Sequence, residues 1–291
     1  MEFVRYQLKG DDLNGACNRW IQPPQAAYFV TTVDRNGNTN VTPVTMGTCI
    51  GNQFFSFTLS NLRVKEWDLD KYPYQEGIKQ GYCNLREVPE CVISYFGHNL
   101  LRESWISSMP IPKGISELDV MGLTPLPSVS VRPCGIAECP VNLEARVLYV
   151  HKLGEKWTNY ICEVVNVTVH KDLDEQNKTG PYKGYGVMPM DLLFEVFIGK
   201  GNTEATKDFE RLYYARLDFD KIERCPEDIG CAWKSTFREW ILTEQSRGKL
   251  TQAETDRIFD LNHAWAANRD PVSNAAIKEE LTSLLKKAVV L

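Results

Sequence analysis

The run from Ala26 to Val33 is β-branched and aromatic and ends in Asp34-Arg35-Asn36-Gly37-Asn38, after which Thr39 to Met46 resumes the same character. An Asn-Gly pair between two such runs predicts a hairpin, because both turn positions can adopt positive φ. Gln53 to Leu59 and Glu90 to Phe96 read as further strands, and Val141 to Val150 with Asn159 to His170 as a second hairpin turning near Gly154. In the last run both alternating sets are apolar, Tyr160, Cys162 and Val164 on one side and Ile161, Val165, Val167 and Val169 on the other. That pattern predicts a strand buried on both faces. Many short strands without a helix after each favour an antiparallel barrel or sandwich over a doubly wound parallel sheet.

From about residue 203 the period becomes helical. Ala205, Phe209, Leu212, Tyr213 and Arg216 share one face, and Trp233, Phe237, Trp240 and Ile241 another. Thr251-Gln252-Ala253-Glu254 has the form of a capping box and leads into the stripe Ile258, Leu261, Trp265. Asp270-Pro271 offers a capping carboxylate before a first-turn proline, followed by Ile277, Leu281, Leu284, Leu285 and Ala288. The expected organisation is a mainly β domain over residues 1–200 and an α-helical extension over 201–291, packed on the barrel or on a dimer interface.

Composition narrows the possible functions. With 33 Lys and Arg against 38 Asp and Glu in 291 residues, the net charge is −5, which gives no whole-chain attraction for nucleic acid or an anionic membrane. No stretch approaches the ~18 uncharged apolar residues of a spanning helix. Met1 to Tyr6 has no basic region leading into an apolar one, and the nine cysteines are an odd number. The expectation is a cytoplasmic protein with reduced thiols. The three Asn-x-Thr sequons, at Asn40, Asn166 and Asn177, then carry no glycosylation meaning.

Familiar catalytic constellations are missing. His98, His151, His170 and His263 fit no metal motif, and the pairs Cys134/Cys139 and Cys225/Cys231 are spaced too widely for zinc knuckles. Ser107-Ser108 lacks a nucleophile-elbow setting, and neither a dinucleotide fingerprint nor a P-loop occurs. Two polar clusters stand out instead. Asn40-Val41-Thr42-Pro43-Val44-Thr45-Met46-Gly47-Thr48 interrupts an apolar strand and bends at Gly47. Lys79-Gln80-Gly81-Tyr82-Cys83-Asn84 opens a helical turn, where a cation and free backbone N–H groups suit a phosphate.

Taken with the segment from Asp119 to Val147, these clusters resemble the flavin reductase-like family, whose fold is the FMN-binding split barrel, antiparallel and Greek-key-like. The matching blocks are T-V-D-x-x-G-x-x-N-x-x-P-[FY]-S, K-D-T-x-x-N-[IL]-x-x-x-x-E-[FC]-V and x-G-L-T leading into E-[SC]-P-V-x-L-E. The resemblance spans residues 20–172. It implies that Asn40, Pro43 and Thr45, with Thr42, Val44, Met46, Gly47 and Thr48 around them, form the flavin-contacting strand. It also implies that Lys79, Gly81 and Asn84 help hold the FMN phosphate and ribityl chain. Gln80 and Gly81 stand where the family has aspartate and threonine; the second change removes a hydroxyl donor worth about 1 kcal/mol. Arg63 and Lys65, in a segment longer than usual, are candidates for the missing phosphate charge.

No catalytic side chain and no metal are implied, because the flavin itself carries the electrons. The resemblance implies a homodimer that takes hydride from NADH or NADPH, or a flavoredoxin-like carrier exchanging electrons with a redox protein partner. A different class of function also fits: a binding or assembly protein that kept the barrel and lost the flavin chemistry.

Overall fold

A computed structural model describes residues 2–3, 25–61, 78–154, 157–179, 193–199, 209–215, 218–224 and 235–289. Strands β1 (Gln25–Ala26), β2 (Tyr28–Val33), β3 (Thr39–Val44), β4 (Gly47–Cys49) and β5 (Phe54–Ser60) come first, then helix α1 (Gln80–Glu87) and strand β6 (Glu90–Tyr95). Helices α2 (Leu101–Ile106) and α3 (Glu117–Met121) and the short strands β7 (Pro125–Leu126) and β8 (Gly135–Ile136) lead to the long pair β9 (Val141–Leu153) and β10 (Trp157–Val169). Helix α4 (Lys171–Thr179), strands β11 (Leu193–Gly199), β12 (Phe209–Ala215) and β13 (Asp218–Arg224), and helices α5 (Phe237–Ser246), α6 (Gln252–Ala267) and α7 (Ala275–Val289) complete the chain.

Seven strands form one antiparallel sheet in the order β3-β2-β6-β9-β10-β5-β4. Its two outermost strands, β3 and β4, are consecutive in sequence and joined only by Thr45 and Met46. So short a link cannot cross a flat sheet seven strands wide, given ~4.8 Å between neighbouring strands. The sheet must therefore curl until its edges nearly meet, and the Thr58 N–H of β5 holds the link by donating to the Met46 carbonyl at 2.7 Å. This is the antiparallel split barrel expected from the sequence, with helices on its outside.

The interior holds Tyr28, Val30, Val44, Phe55, Phe57, Leu59, Cys91, Ile93, Ala145, Tyr160 and Cys162, with Leu85 of α1 closing it. A second core lies on the opposite face of β2 and β3, where Phe29 and Val41 meet α2, α3 and the buried stripes of α5, α6 and α7. All six residues of β2 are consequently buried. Two-sided burial was expected of β10, but there only Thr158, Tyr160 and Cys162 are fully buried; Asn159, Ile161 and Glu163 are half-buried, and Val167 and Val169 are exposed. Among the described residues no helical layer covers that outer face, whereas one covers β2.

The β2–β3 hairpin is where the sequence places it. Only Gly37 has positive φ, at 86°. Asn36 does not take positive φ, and the Asp34 carboxylate accepts the N–H groups of Asn36 and Asn38, each at 2.9 Å. The side chain organises the turn, so a single left-handed residue suffices. A second correction concerns residues 203–216: β12 is a strand paired with β11 and β13, not the helix read from Phe209, Leu212 and Tyr213. The segment Leu212-Tyr213-Tyr214 suits a strand, and pairing on both sides outweighs a short apparent helical period. Ala205, Arg216 and Trp233 lie outside the described residues. Among the described residues the carboxy-terminal helices begin with α5.

The helix starts follow the local signals. Thr251 and Glu254 form the expected capping box of α6, and Thr236 with Glu239 forms another on α5. Asp270 accepts the Val272 and Ser273 N–H groups at 3.1 and 3.3 Å, capping a turn that leads into α7. Glu254 also binds the Lys287 ammonium of α7 at 2.6 Å. That contact, with the Thr251 bonds, holds its carboxyl at about 2. A depressed carboxylate stabilises the fold above its unfolded value of about 4.3, and the contribution fades as pH falls through the folded value. The melting-temperature advantage of wild type over Glu254→Gln should be full at pH 7 and shrink steadily between about pH 4.5 and pH 2.

Candidate functional site

Helix α1 lies against β2, β3 and β5 and brings the two polar clusters together. A Cβ on Gly81 would sit 3.1 Å from both Asn40 Oδ1 and Thr42 Oγ1. Asn84 donates from Nδ2 to Thr32 Oγ1 at 3.2 Å, and Thr32 is the cross-strand partner of Asn40. Residues about forty positions apart in the chain thus meet at one seam between helix and sheet.

Much of this polarity is used internally. Asn40 is 5% exposed and donates from Nδ2 to Glu117 Oε1 at 2.6 Å, while Glu117 Oε2 accepts the Val41 N–H at 2.8 Å. A carboxylate accepts only, so it turns the Asn40 amide nitrogen toward α3 and the oxygen toward Thr42, whose hydroxyl donates to it at 3.1 Å. Asn84 is wholly buried, and its Oδ1 has no partner among the described residues. Val44 belongs to the barrel core.

Gly47 is also a packing residue. A Cβ there would lie 1.7 Å from the Tyr28 hydroxyl, 2.7 Å from the Ser56 carbonyl and 2.9 Å from Phe57 Cβ. Glycine lets β4 pass over the buried Tyr28, whose phenol burial pushes far above its ordinary value.

What faces outward is a smaller set. Thr42, Pro43, Thr45, Met46 and Lys79 are half-buried and Thr48 is exposed. Pro43 can occupy β3 because β3 is an edge strand, where a missing N–H costs no ladder bond. Lys79 precedes α1, donates its N–H to the Asn61 carbonyl at 2.9 Å, and gives the helix no side-chain cap. The start of α1 thus carries no side-chain cap, an arrangement suited to an anion. Arg63 and Lys65 lie outside the described residues. Two surface cavities lie elsewhere, one of about 540 Å³ beside Asp119, Lys278 and Lys286 and one of about 620 Å³ beside His98, Glu138 and His170.

Three structural participants have no local sequence signal: Tyr28 under Gly47, Glu117 holding Asn40, and Gly114, whose N–H donates to Gln80 Oε1 at 3.0 Å. Each partner is remote in sequence. Thiol chemistry finds no support nearby. Burial pushes the Cys83 thiol up despite the Lys113 and Arg86 charges, and Cys91, hydrogen-bonded to Cys162 and fully buried, is pushed up further. Protonated thiols are poor nucleophiles. Among the described residues no cluster of His, Cys, Asp and Glu could hold a metal, and no helix is long and apolar enough to cross a membrane.

No protein-family model matches the chain. It is 27% identical over 203 residues to the protein YdfE of Bacillus subtilis (strain 168), itself uncharacterized, covering 63% of this chain and 87% of that one. Among solved structures it is similar to a split-barrel protein of Shewanella frigidimarina NCIMB 400 described as a candidate flavin reductase (17% identity, TM-score 0.49, 74% of this chain and 89% of that one). It is similar also to nitrilotriacetate monooxygenase component B from Bacillus cereus (19%, 0.46, 60% and 83%) and to flavoredoxin of Desulfovibrio vulgaris (Miyazaki F) (18%, 0.45, 67% and 87%).

The tight passage of β4 over Tyr28 yields a direct test. Gly47→Ala should destabilise the protein by about 1–3 kcal/mol in denaturant unfolding, as overpacking does. Combining it with Tyr28→Leu should recover part of that loss in a double-mutant cycle; strict additivity would show that the tyrosine does not impose the glycine.

Proposed function

We propose that the chain is a flavin-dependent oxidoreductase that holds FMN non-covalently along the β3–β4 edge and the start of α1. The observation that carries this reading is the meeting of Gly81 with Asn40 and Thr42, two segments that the sequence separates. The residues fit the phosphate end of such a ligand: Lys79 supplies charge and uncapped α1 supplies N–H donors. Thr42 and Thr45 offer hydroxyls, and Pro43, Met46 and Thr48 line the accessible edge on which the ring system would rest. Asn40, Gly81 and Asn84 serve as the wall behind these groups, and Gly47 and Val44 keep the edge in place.

Bound flavin would supply the redox chemistry, accepting hydride from NADH or NADPH or exchanging electrons with a protein partner. The chain's own task is to bind and orient it; no side chain at this edge needs to move a proton. The described residues provide one wall for the rings. A homodimer would provide the other and would cover Leu148, Tyr149, Val150 and Leu153, which are exposed where β9 extends beyond its pairing with β6. A cytoplasmic location accords with this reading.

The internal use of Asn40 and Asn84 favours a second reading, a binding or assembly protein on a barrel that no longer holds flavin. Fluorescence and anaerobic absorbance separate the two. For the oxidoreductase, the protein quenches FMN fluorescence at micromolar concentration, and NADH or NADPH bleaches the bound flavin. Quenching with reduction only by a ferredoxin-type donor would indicate the electron-carrier form. Absence of quenching at 100 μM protein would overturn the flavin reading and leave the assembly role.

A further inference from the structure

The helices α5 to α7 share their core with the outer face of β2 and β3, but their polar contacts are more selective. Trp265 of α6 is wholly buried and donates its indole N–H to the Lys113 carbonyl at 2.8 Å. Its ring packs on Gly114, where φ is +88° and a Cβ would lie 3.0 Å from the indole. The turn at 113–114 can take this shape against the ring only with glycine. The Gly114 N–H then donates to Gln80 Oε1, and Gln80 is the first residue of α1.

A linkage therefore runs from the middle of α6 through one tight turn to the start of α1. The same tryptophan ring carries Lys278 of α7 over its face at 5.9 Å, and Lys278 donates to Asn38 Oδ1 in the β2–β3 turn at 3.2 Å. Asn38 also donates from Nδ2 to the Arg269 carbonyl at 3.2 Å, between α6 and α7. The helices thus grip both segments that form the candidate site, the hairpin ahead of Asn40 and the first turn behind Lys79.

The anchor at Gln80 is selective. Its Oε1 is engaged by Gly114, while its Nε2 is buried without an acceptor among the described residues. Leaving an amide donor unmet is unfavourable, so the carbonyl contact, not general polarity, is what the position provides.

We propose that Trp265 is a positioning residue that, through Gly114 and Gln80, fixes where α1 begins and so sets the phosphate-holding end of the site. The proposal rests on the flavin reading above and assigns the carboxy-terminal helices a role beyond covering apolar surface. A helix N-terminus attracts an anion over only its first turn, so a small displacement of that turn weakens the phosphate contact and leaves ring contacts along β3–β4 unaffected.

The test compares full-length wild type, Trp265→Phe and Gln80→Leu in their affinity for FMN and for riboflavin, which lacks the phosphate. Amide hydrogen exchange over residues 78–88 and 252–289 is followed in parallel. Trp265→Phe keeps an aromatic ring but loses the N–H to Lys113; Gln80→Leu breaks the far end of the linkage and does not disturb α6. The expected result for both is FMN affinity about tenfold lower, riboflavin affinity within twofold of wild type, and faster exchange over 78–88. Equal losses for the two flavins, or unchanged exchange over 78–88 with unchanged FMN preference, would overturn the proposal. If wild type binds neither flavin, the flavin reading fails and the phosphate role of Trp265 fails with it. Faster exchange over 78–88 would then show that the linkage exists but serves the fold alone.

Discussion

Closure of the sheet between β3 and β4 is the constraint from which the rest of the molecule follows. Two strands at opposite ends of a seven-stranded order are joined by Thr45 and Met46, so the sheet has to bend back on itself. The bend brings β4 directly over Tyr28, where only a glycine at position 47 leaves room for the phenol. It also leaves β3 as an edge strand, which admits Pro43 and places Thr42 to Thr48 along a partly accessible rim. The interior aromatic contacts, Tyr28 edge-on to Phe55 and Phe57 stacked on Tyr160, fill the space so enclosed.

The other face of β2 and β3 determines what the helices do. A strand buried on both sides needs cover from a second layer, and α2, α3 and α5 to α7 provide it with one continuous cluster. Polar groups cross this interface at a few points, and each has a partner of fixed direction. Glu117 accepts from Asn40 and from the Val41 backbone, Lys278 reaches Asn38, and Trp265 reaches Lys113. Buried polar contacts of this kind add specificity to an apolar interface, because a shifted register would strand a donor or a carboxylate. The helical layer is therefore joined to β2 and β3 by directed polar contacts as well as by apolar packing.

At the seam itself, the same residues that resemble a cofactor motif are also the ones that dock α1. Gly81 permits the close approach, Asn40 and Thr42 present oxygens to it, and Asn84 ties the middle of the helix to Thr32. A ligand on the outside of this seam would be held by groups whose positions are set from inside. Side chains that look available in a one-dimensional pattern are thus divided into a buried wall and an exposed rim by the direction each takes from its strand.

The features legible in sequence are those governed by near neighbours. The β2–β3 hairpin, the capping box of Thr251 and Glu254, the capping aspartate Asp270 and the stripe Ile258, Leu261, Trp265 all arise from interactions within a few residues, and all were readable. The helix expected over 203–216 failed because a few apolar residues fit either period, and strand pairing with β11 and β13 decided between them. The turn itself needs only Gly37 at positive φ, because Asp34 supplies bonds that the backbone would otherwise need. Which strand is buried twice, why position 47 is glycine, and where Asn40 points were settled only in three dimensions. Their determinants are Tyr28, Glu117 and the helical layer, and Glu117 alone stands 77 residues from the asparagine it orients. Local chemistry fixes what each segment becomes; contact between distant segments fixes which of its faces is left for a ligand.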